Sequence, residues 1–277
     1  MVLIGILQQN SFIAIKMRAF VINLDSSRYR LNCVSSQLNK LNVPFERVSA
    51  TCGENLSSDY INSILYPLNH VDSKTRFTRA LTKGEIGCFL SHRTCWQLLV
   101  SSNEKRALIL EDDIEISSKA SVYLQDDEWL PSKVHLCQLN VPCDAIQGRI
   151  EFESLAIDEN IRLVQPIYPT PTGSFAYIIS REVAAEALRL SKKLPAPIDN
   201  FLFSPWFTIS NKFKLWRTDP GLVKPASDLP SDIGDRSKKN VEKAPFFIRH
   251  GWRRFLLDRK IKKYQRGGQP FVFKFWA

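Results

Sequence analysis

Ala107-Leu108-Ile109-Leu110 runs directly into Glu111-Asp112-Asp113 before Ile114 resumes the apolar pattern. Four apolar residues after the turn-like Ser101-Ser102-Asn103 suit a strand buried on both faces, as in parallel sheets. Carboxylates cannot continue such a strand without a heavy desolvation cost, so they mark its C-terminal mouth. In open α/β sheets ligands bind at that edge. Three adjacent acids repel one another unless a cation joins them, and an all-oxygen ligand set suits Mg²⁺ or Mn²⁺. The same residues also fit a solvated loop after a core strand. The stretch by itself leaves both readings open.

Upstream, Ala19-Phe20-Val21-Ile22-Asn23-Leu24 reads as a first buried strand. Asp25-Ser26-Ser27 is a turn and cap, and Leu31, Val34, Leu38 and Leu41 recur at helical spacing over residues 28–42. Residues 43–48 return as a second strand, and this β-α-β opening favours a parallel sheet. The first loop lacks Gly-x-Gly-x-x-Gly and the chain has no Walker phosphate loop, which argues against dehydrogenase and NTPase chemistry. Residues 51–78 are polar and irregular, an excursion over the site. Thr82 followed by Glu85 is a capping box, predicting a helix to about residue 100. Gly84, Gly87, Ser91 and the pair Cys88/Cys95 make one side of it small, open to a close neighbour or a ligand. His92 lies four residues after Cys88 and four before Trp96 on an apolar face, the ordinary setting of a satisfied core histidine.

Downstream the pattern gives a helix over 120–129, a strand over 134–139 and paired short strands within 144–168. A glycine turn and buried strand follow over 171–180, then a helix over 181–192. Asp199 falls at the N-terminus of the next segment, 201–207, where an acid also serves as a plain N-cap.

The chain of 277 residues is 44% hydrophobic and 24% charged, ordinary for a globular protein with an ample core. Its net charge of +10 is localised. Residues 236–277 hold thirteen Lys or Arg against Glu242 and Asp258, and the rest is close to neutral. Six cysteines without a Cys-x-x-Cys pair read as reduced, mostly buried thiols of a cytosolic protein. His70, His92, His135 and His250 are scattered without ligand spacing, so zinc is not expected. Residues 1–16 carry an apolar run too short to span a membrane, with no basic region before it. They are treated as an extension, with Met17 an alternative start, and no transmembrane helix is expected elsewhere.

Taken together, several segments resemble glycosyltransferase family 25, the lipooligosaccharide galactosyltransferases of Gram-negative bacteria and relatives of collagen galactosyltransferases. They are Val21-Ile22-Asn23-Leu24 with Arg28 and Arg30, and Gly84-Glu85-Ile86-Gly87-Cys88 with Ser91, His92 and Trp96. Leu110-Glu111-Asp112-Asp113, Gly173 through Arg181, and Ile198-Asp199 follow in the family's order, with weaker echoes at Pro225 and Ser231-Asp232-Ile233.

The resemblance implies an α/β, GT-A-like, Rossmann-type nucleotide-sugar domain over residues 17–235 with a mostly parallel central sheet. It implies an inverting, metal-dependent transferase moving a sugar, galactose from UDP-galactose in β linkage, onto a lipooligosaccharide acceptor. Asp113, Glu111 and Asp112 would serve Mn²⁺ or Mg²⁺, with Asp113 the first choice and the other two dividing metal and ribose contacts. Strand alternation would set Glu111 and Asp113 on one side and Asp112 on the other. Asn23, Leu24, Arg28, Gly84, Gly87, Ser91, His92, Asp112 and Gly173 would surround the donor. Asp199, or second Asp232, would deprotonate the acceptor hydroxyl. The family's polar residue after Pro225 has no clear counterpart in Ala226-Ser227-Asp228-Leu229-Pro230.

Residues 236–277 read as a basic helical tail. Ile248, Trp252 and Phe255 share a face among Arg249, Arg253, Arg254, Arg259, Lys260, Lys262 and Lys263. Such a helix can lie on an anionic bilayer, here the cytoplasmic face of the inner membrane, or pack on the domain with its charges solvated. Two other functions remain to be weighed. The tail could bind single-stranded nucleic acid, although no recognition motif accompanies it. The carboxylates could serve a glycoside hydrolase, which needs neither metal nor nucleotide.

Overall fold

The computed structural model describes residues 17–65, 81–141, 151–166, 173–204, 209, 212–226 and 275–276. β1 (Arg18–Asn23) leads through α1 (Arg28–Lys40) to β2 (Glu46–Ser49), which pairs parallel to it. A 3-10 turn (Gly53–Asn55), α2 (Ser58–Ile64) and α3 (Lys83–Val100) precede β3 (Arg106–Glu111). β3 pairs parallel to β1 on the edge away from β2. The chain thus leaves β1 to one side and returns on the other. That divergence opens a crevice at the C-terminal ends of β1 and β3, a topological switch point.

The remaining elements are β4 (Ile114–Ile116), α4 (Ser121–Leu124), β5 (Leu136–Gln138), β6 (Glu151–Ala156), β7 (Arg162–Pro166), β8 (Ala176–Ser180), α5 (Arg181–Leu190), α6 (Ile198–Phe203), β9 (Leu215–Asp219) and β10 (Val223–Pro225). The main sheet has the order β2-β1-β3-β8-β5-β9-β7-β6. Six of its eight strands run the same way, with β7 and β8 opposed. The sheet is therefore mostly parallel in strand direction, while the opposed β8 makes a mixed sheet of its centre. β4 and β10 form a separate antiparallel ribbon.

Alternation along the strands builds two apolar layers. Phe20, Ile22, Ala107, Ile109, Tyr177 and Ile179 face Ile86, Phe89, Trp96 and Leu99 of α3, together with α5 and α6. Ala19, Val21, Leu108, Leu110, Ala176 and Ile178 face Val34 and Leu38 of α1, with Tyr123 and Leu124 of α4. The capping box that opens α3 is formed: the Glu85 amide donates to Thr82 Oγ1 (3.0 Å) and the Thr82 amide to Glu85 Oε2 (2.9 Å).

The helix expected over 120–129 shrinks to the single turn of α4. The Asp126 carboxylate accepts from the Glu128 amide, and the Trp129 indole donates to the carbonyls of Tyr123 and Asp126, so local bonds displace the helical ladder. Residues 1–16, Asp232 and the basic stretch 245–264 lie outside the described residues. The end of the chain does not. Phe275 bridges Gly221, the Trp276 amide donates to the Gly221 carbonyl (2.9 Å), and the Trp276 ring packs 5.8 Å from that of Tyr123. No helix among the described residues is long and apolar enough to cross a membrane.

Candidate active site

The switch point holds a cleft of about 210 Å³ lined by Leu24, Arg30, residues 51–54, Gly84, Cys88, Ser91, His92, Glu111, Asp112 and Asp113, among others. β3 delivers the three carboxylates, α1 supplies Arg30, and α3 closes the opposite wall.

Asp112 is the anchored acid. Its Oδ2 accepts from Asn23 Nδ2 (2.6 Å) and its Oδ1 from Arg30 Nη1 (3.3 Å), both in buried surroundings. Burial raises its pKa, against the lowering pull of Asn23 and Arg30. Asp113 shares the same guanidinium at 3.6 Å, but its Oδ1 is buried without a hydrogen-bond partner. Burial, and the neighbouring Glu111 charge after it, push the Asp113 carboxyl up to about 7. Glu111 turns the other way, accepting at Oε1 from Ser174 Oγ (2.6 Å) and lying 3.3 Å from His92 Nε2. The expected pairing of Glu111 with Asp113 on one side is thus corrected. β3 ends at Glu111, the two-residue period stops there, and Asp112 and Asp113 both turn to Arg30.

Leu24, Gly84, Ser91 and His92 line the cleft. Asn23 sits beneath it, fully engaged: besides Asp112, its Nδ2 donates to the Ser27 carbonyl (3.0 Å) and its Oδ1 accepts from Arg47 Nε (2.9 Å). Arg28 is exposed and is not among the lining residues, and Arg30 stands in its place. Arg30 lies on the buried stripe of α1 with Val34 and Leu38, at four-residue spacing. That register was the available signal: an arginine in an apolar stripe needs a carboxylate partner.

Gly87 does not open a path for a ligand. A Cβ there would meet the Thr51 carbonyl oxygen at 2.4 Å, so its bareness admits the 51–53 backbone. Ser91 secures the same contact, accepting from the Thr51 amide (2.8 Å) and donating to the Gly87 carbonyl (2.7 Å). His92 is fully buried, with Nδ1 on the Tyr177 hydroxyl (2.8 Å).

Gly173, at φ +97°, and Asp199 are joined outside the cleft lining: the Gly173 amide donates to Asp199 Oδ2 (3.1 Å). Asp199 is not the N-cap of α6, a position held by Pro197, and its Oδ1 accepts from the Asn200 amide (2.7 Å). The next residue, Ser174, reaches Glu111, so one short loop ties Asp199 to the acidic mouth. The Ala226 amide donates to the Asp113 carbonyl (2.9 Å), which brings the chain just past Pro225 to the same mouth.

A cleft at the C-terminal ends of parallel strands, walled by carboxylates and one arginine, is where an open α/β sheet binds its ligand. The comparisons are narrower. The sequence model of "Glycosyltransferase family 25 (LPS biosynthesis protein)" matches residues 17–202, and the chain belongs to that family. The lipooligosaccharide biosynthesis protein lic2B of Haemophilus influenzae is 26% identical over 235 residues, covering 82% of this chain and 83% of that one. A glycosyltransferase 25 family member of Aedes aegypti is 35% identical over 95 residues, 34% of this chain and 16% of that one. Among solved structures, a glycosyltransferase involved in glycosylation of the major capsid of PBCV-1 aligns at a TM-score of 0.41. That alignment has 7% identity and covers 77% of this chain and 94% of that one, too distant to carry an argument.

Proposed function

We propose that this family 25 chain is a GT-A-like, inverting, metal-dependent glycosyltransferase that moves galactose from UDP-galactose, in β linkage, onto a lipooligosaccharide core. The observation that carries the reading is the pairing of Arg30 with Asp112 and Asp113 at the floor of a switch-point cleft. Diphosphates need concentrated positive charge, and a guanidinium suits their oxygens. The carboxylates also fit a hard divalent ion, because Asp113 has a buried oxygen without a hydrogen-bond partner and a second carboxylate, Asp112, beside it. Mn²⁺ or Mg²⁺ held there would screen the diphosphate and activate it as a leaving group.

The chain's own residues then divide the work. Asn23 and Arg30 hold Asp112 in place, leaving Asp113 turned to the cleft. Leu24 and residues 51–54 wall the nucleoside end, and Gly84 leaves room beside it. Asp199 takes the proton from the acceptor hydroxyl at an oxygen steadied by the Gly173 amide. A lipid-linked acceptor makes sense of the basic segment 245–264, which would rest on the anionic cytoplasmic face of the inner membrane.

A thermal-shift panel of UDP-sugars, each with and without Mn²⁺, tests the reading. A donor at ~100 times its Kd adds about 2.7 kcal/mol of stability. Stabilisation by UDP-galactose that needs the metal is the expected result. Absence of metal-dependent stabilisation by every UDP-sugar would sink the proposal.

A further inference from the structure

One wall of the cleft holds a second donor set, in which Glu111, turned away from Asp112 and Asp113, meets His92 and Cys88. Cys88 and His92 lie four residues apart on α3, hence on one face, and Glu111 meets them from the end of β3. One ligand atom from each lies within 4.8 Å of the other two. We propose that Cys88, His92 and Glu111 form a site for a borderline divalent cation of the zinc class, separate from the hard oxygen site at Asp112 and Asp113.

Three observations carry this. The first is spacing. Tetrahedral zinc with bonds of ~2.0–2.3 Å holds its ligands ~3.3–3.8 Å apart. His92 Nε2 and Glu111 Oε1 already stand 3.3 Å apart, and the Cys88 Sγ lies within 4.8 Å of both ligand atoms.

The second is orientation. Metal-bound histidines fix their other ring nitrogen on a partner. His92 Nδ1 lies 2.8 Å from the Tyr177 hydroxyl, the rings stack at 5.6 Å, and Trp96 Nε1 donates to the same hydroxyl (3.1 Å). A cation bound at Nε2 would displace a proton from that nitrogen and require the tautomer with Nδ1–H on Tyr177, whereas without the ion Nε2–H can donate to Glu111 instead. Glu111 is oriented in turn by Ser174 Oγ.

The third is charge. Thiolate, carboxylate and neutral imidazole sum to the charge that neutralises a dication, which suits a site whose histidine is fully buried. The ligand types also separate the two sites: thiolate and imidazole select zinc or cobalt, whereas carboxylates alone favour magnesium or manganese. All three residues line the cleft, so a fourth coordination position opens onto it, as in sites that exchange a water or a substrate oxygen. The cysteines described in this region carry thiols rather than disulfides.

The proposal does not depend on the transferase reading and is tested without assaying transfer. Co²⁺ titrated into the full-length, metal-stripped protein should produce thiolate-to-metal charge-transfer absorption saturating at one ion per chain and erased by Zn²⁺. Cys88→Ser should abolish that band and weaken Zn²⁺ binding by at least ~100-fold, and Tyr177→Phe should weaken it ~10–100-fold by loosening His92. Cys52→Ser, in the same cleft, and Asp113→Asn should keep the band. A readout that needs no variant is alkylation followed by peptide mass spectrometry, in which Zn²⁺, and not Mn²⁺, should slow modification of Cys88 at least tenfold. A cobalt spectrum without the band, a band that survives Cys88→Ser, or equal Cys88 alkylation with and without Zn²⁺ would each overturn the site.

Discussion

Asp113 is kept at a disadvantage by the fold. Its pKa stands near 7 against an ordinary 3.8, because it is buried beside Glu111 with only a share of Arg30. A raised carboxyl pKa means the folded state holds the proton more tightly than the unfolded chain. The associated stability is fully present below pH 3.8 and is lost as pH rises to about 7. Asp113→Asn removes this loss. In metal-free buffer it should raise stability by about 1–3 kcal/mol above pH 7 and by almost nothing in acid, as urea melts across pH would read. The same change should lower transfer by ~10²-fold or more. A variant that is more stable yet inactive would mark Asp113 as a residue retained for function.

Asp199→Asn belongs to the same scale. It should cost ~10²–10⁴ in transfer rate while UDP-galactose and Mn²⁺ stabilise the protein as before. Near-parental transfer would remove Asp199 from the mechanism. The sequence located the carboxylates because acids ending an apolar run break a pattern. The choice of Arg30 over Arg28 was legible in the four-residue spacing of Arg30 with Val34 and Leu38, but its partners Asp112 and Asp113 appear only when β3 is laid beside α1.

At the scale of elements, the contact between α3 and the 51–54 turn shapes the cleft wall. Gly87 packs against the Thr51 carbonyl, and Gly53 meets Lys83 and Gly84 in return. Gly87→Ala places a methyl where backbone already stands and should destabilise by about 1–3 kcal/mol in thermal or urea melts. Donor affinity should fall with it, since residues 51–54 and Gly84 line one cleft. An unchanged melting curve would mean that the turn yields easily. The strands and α3 were readable because long apolar periods and a capping box act locally. The glycine's partner was not, because a bare Cα reports that something approaches and not what. The zinc-class set was hidden in the same way: Cys88 and His92 show a four-residue spacing, but Glu111 joins them only when β3 is laid beside α3.

At the scale of the whole molecule, the opposed strand β8 does what a purely parallel sheet would not. It places the Gly173-Ser174 loop at the mouth shared by β1 and β3, so Glu111 and Asp199 are bridged. Periodicity identified β8 as a buried strand but carried no information about its direction, which is set by its long-range pairing with Leu108 and Ile109. The basic segment is tested at this scale too. Replacing Lys260, Lys262 and Lys263 with Gln in the full chain should weaken co-sedimentation with anionic vesicles by tenfold or more, at ~1 kcal/mol per surface lysine. Equal sedimentation would leave the charges as a solvated face.

Val223–Pro225 is zipped to β4 on one side, and Trp276 is seated on Gly221 and Tyr123 on the other. The two described residues that flank 227–274, Ala226 and Phe275, are each anchored to the domain, Ala226 on the Asp113 carbonyl and Phe275 beside Gly221. The chain therefore leaves the described domain at the acidic mouth and rejoins it at Gly221. Cutting the chain at residue 235 would strip the Trp276 ring from Tyr123 and its amide from the Gly221 carbonyl, so a truncation meant to remove charge would also uncover the core edge beside α4.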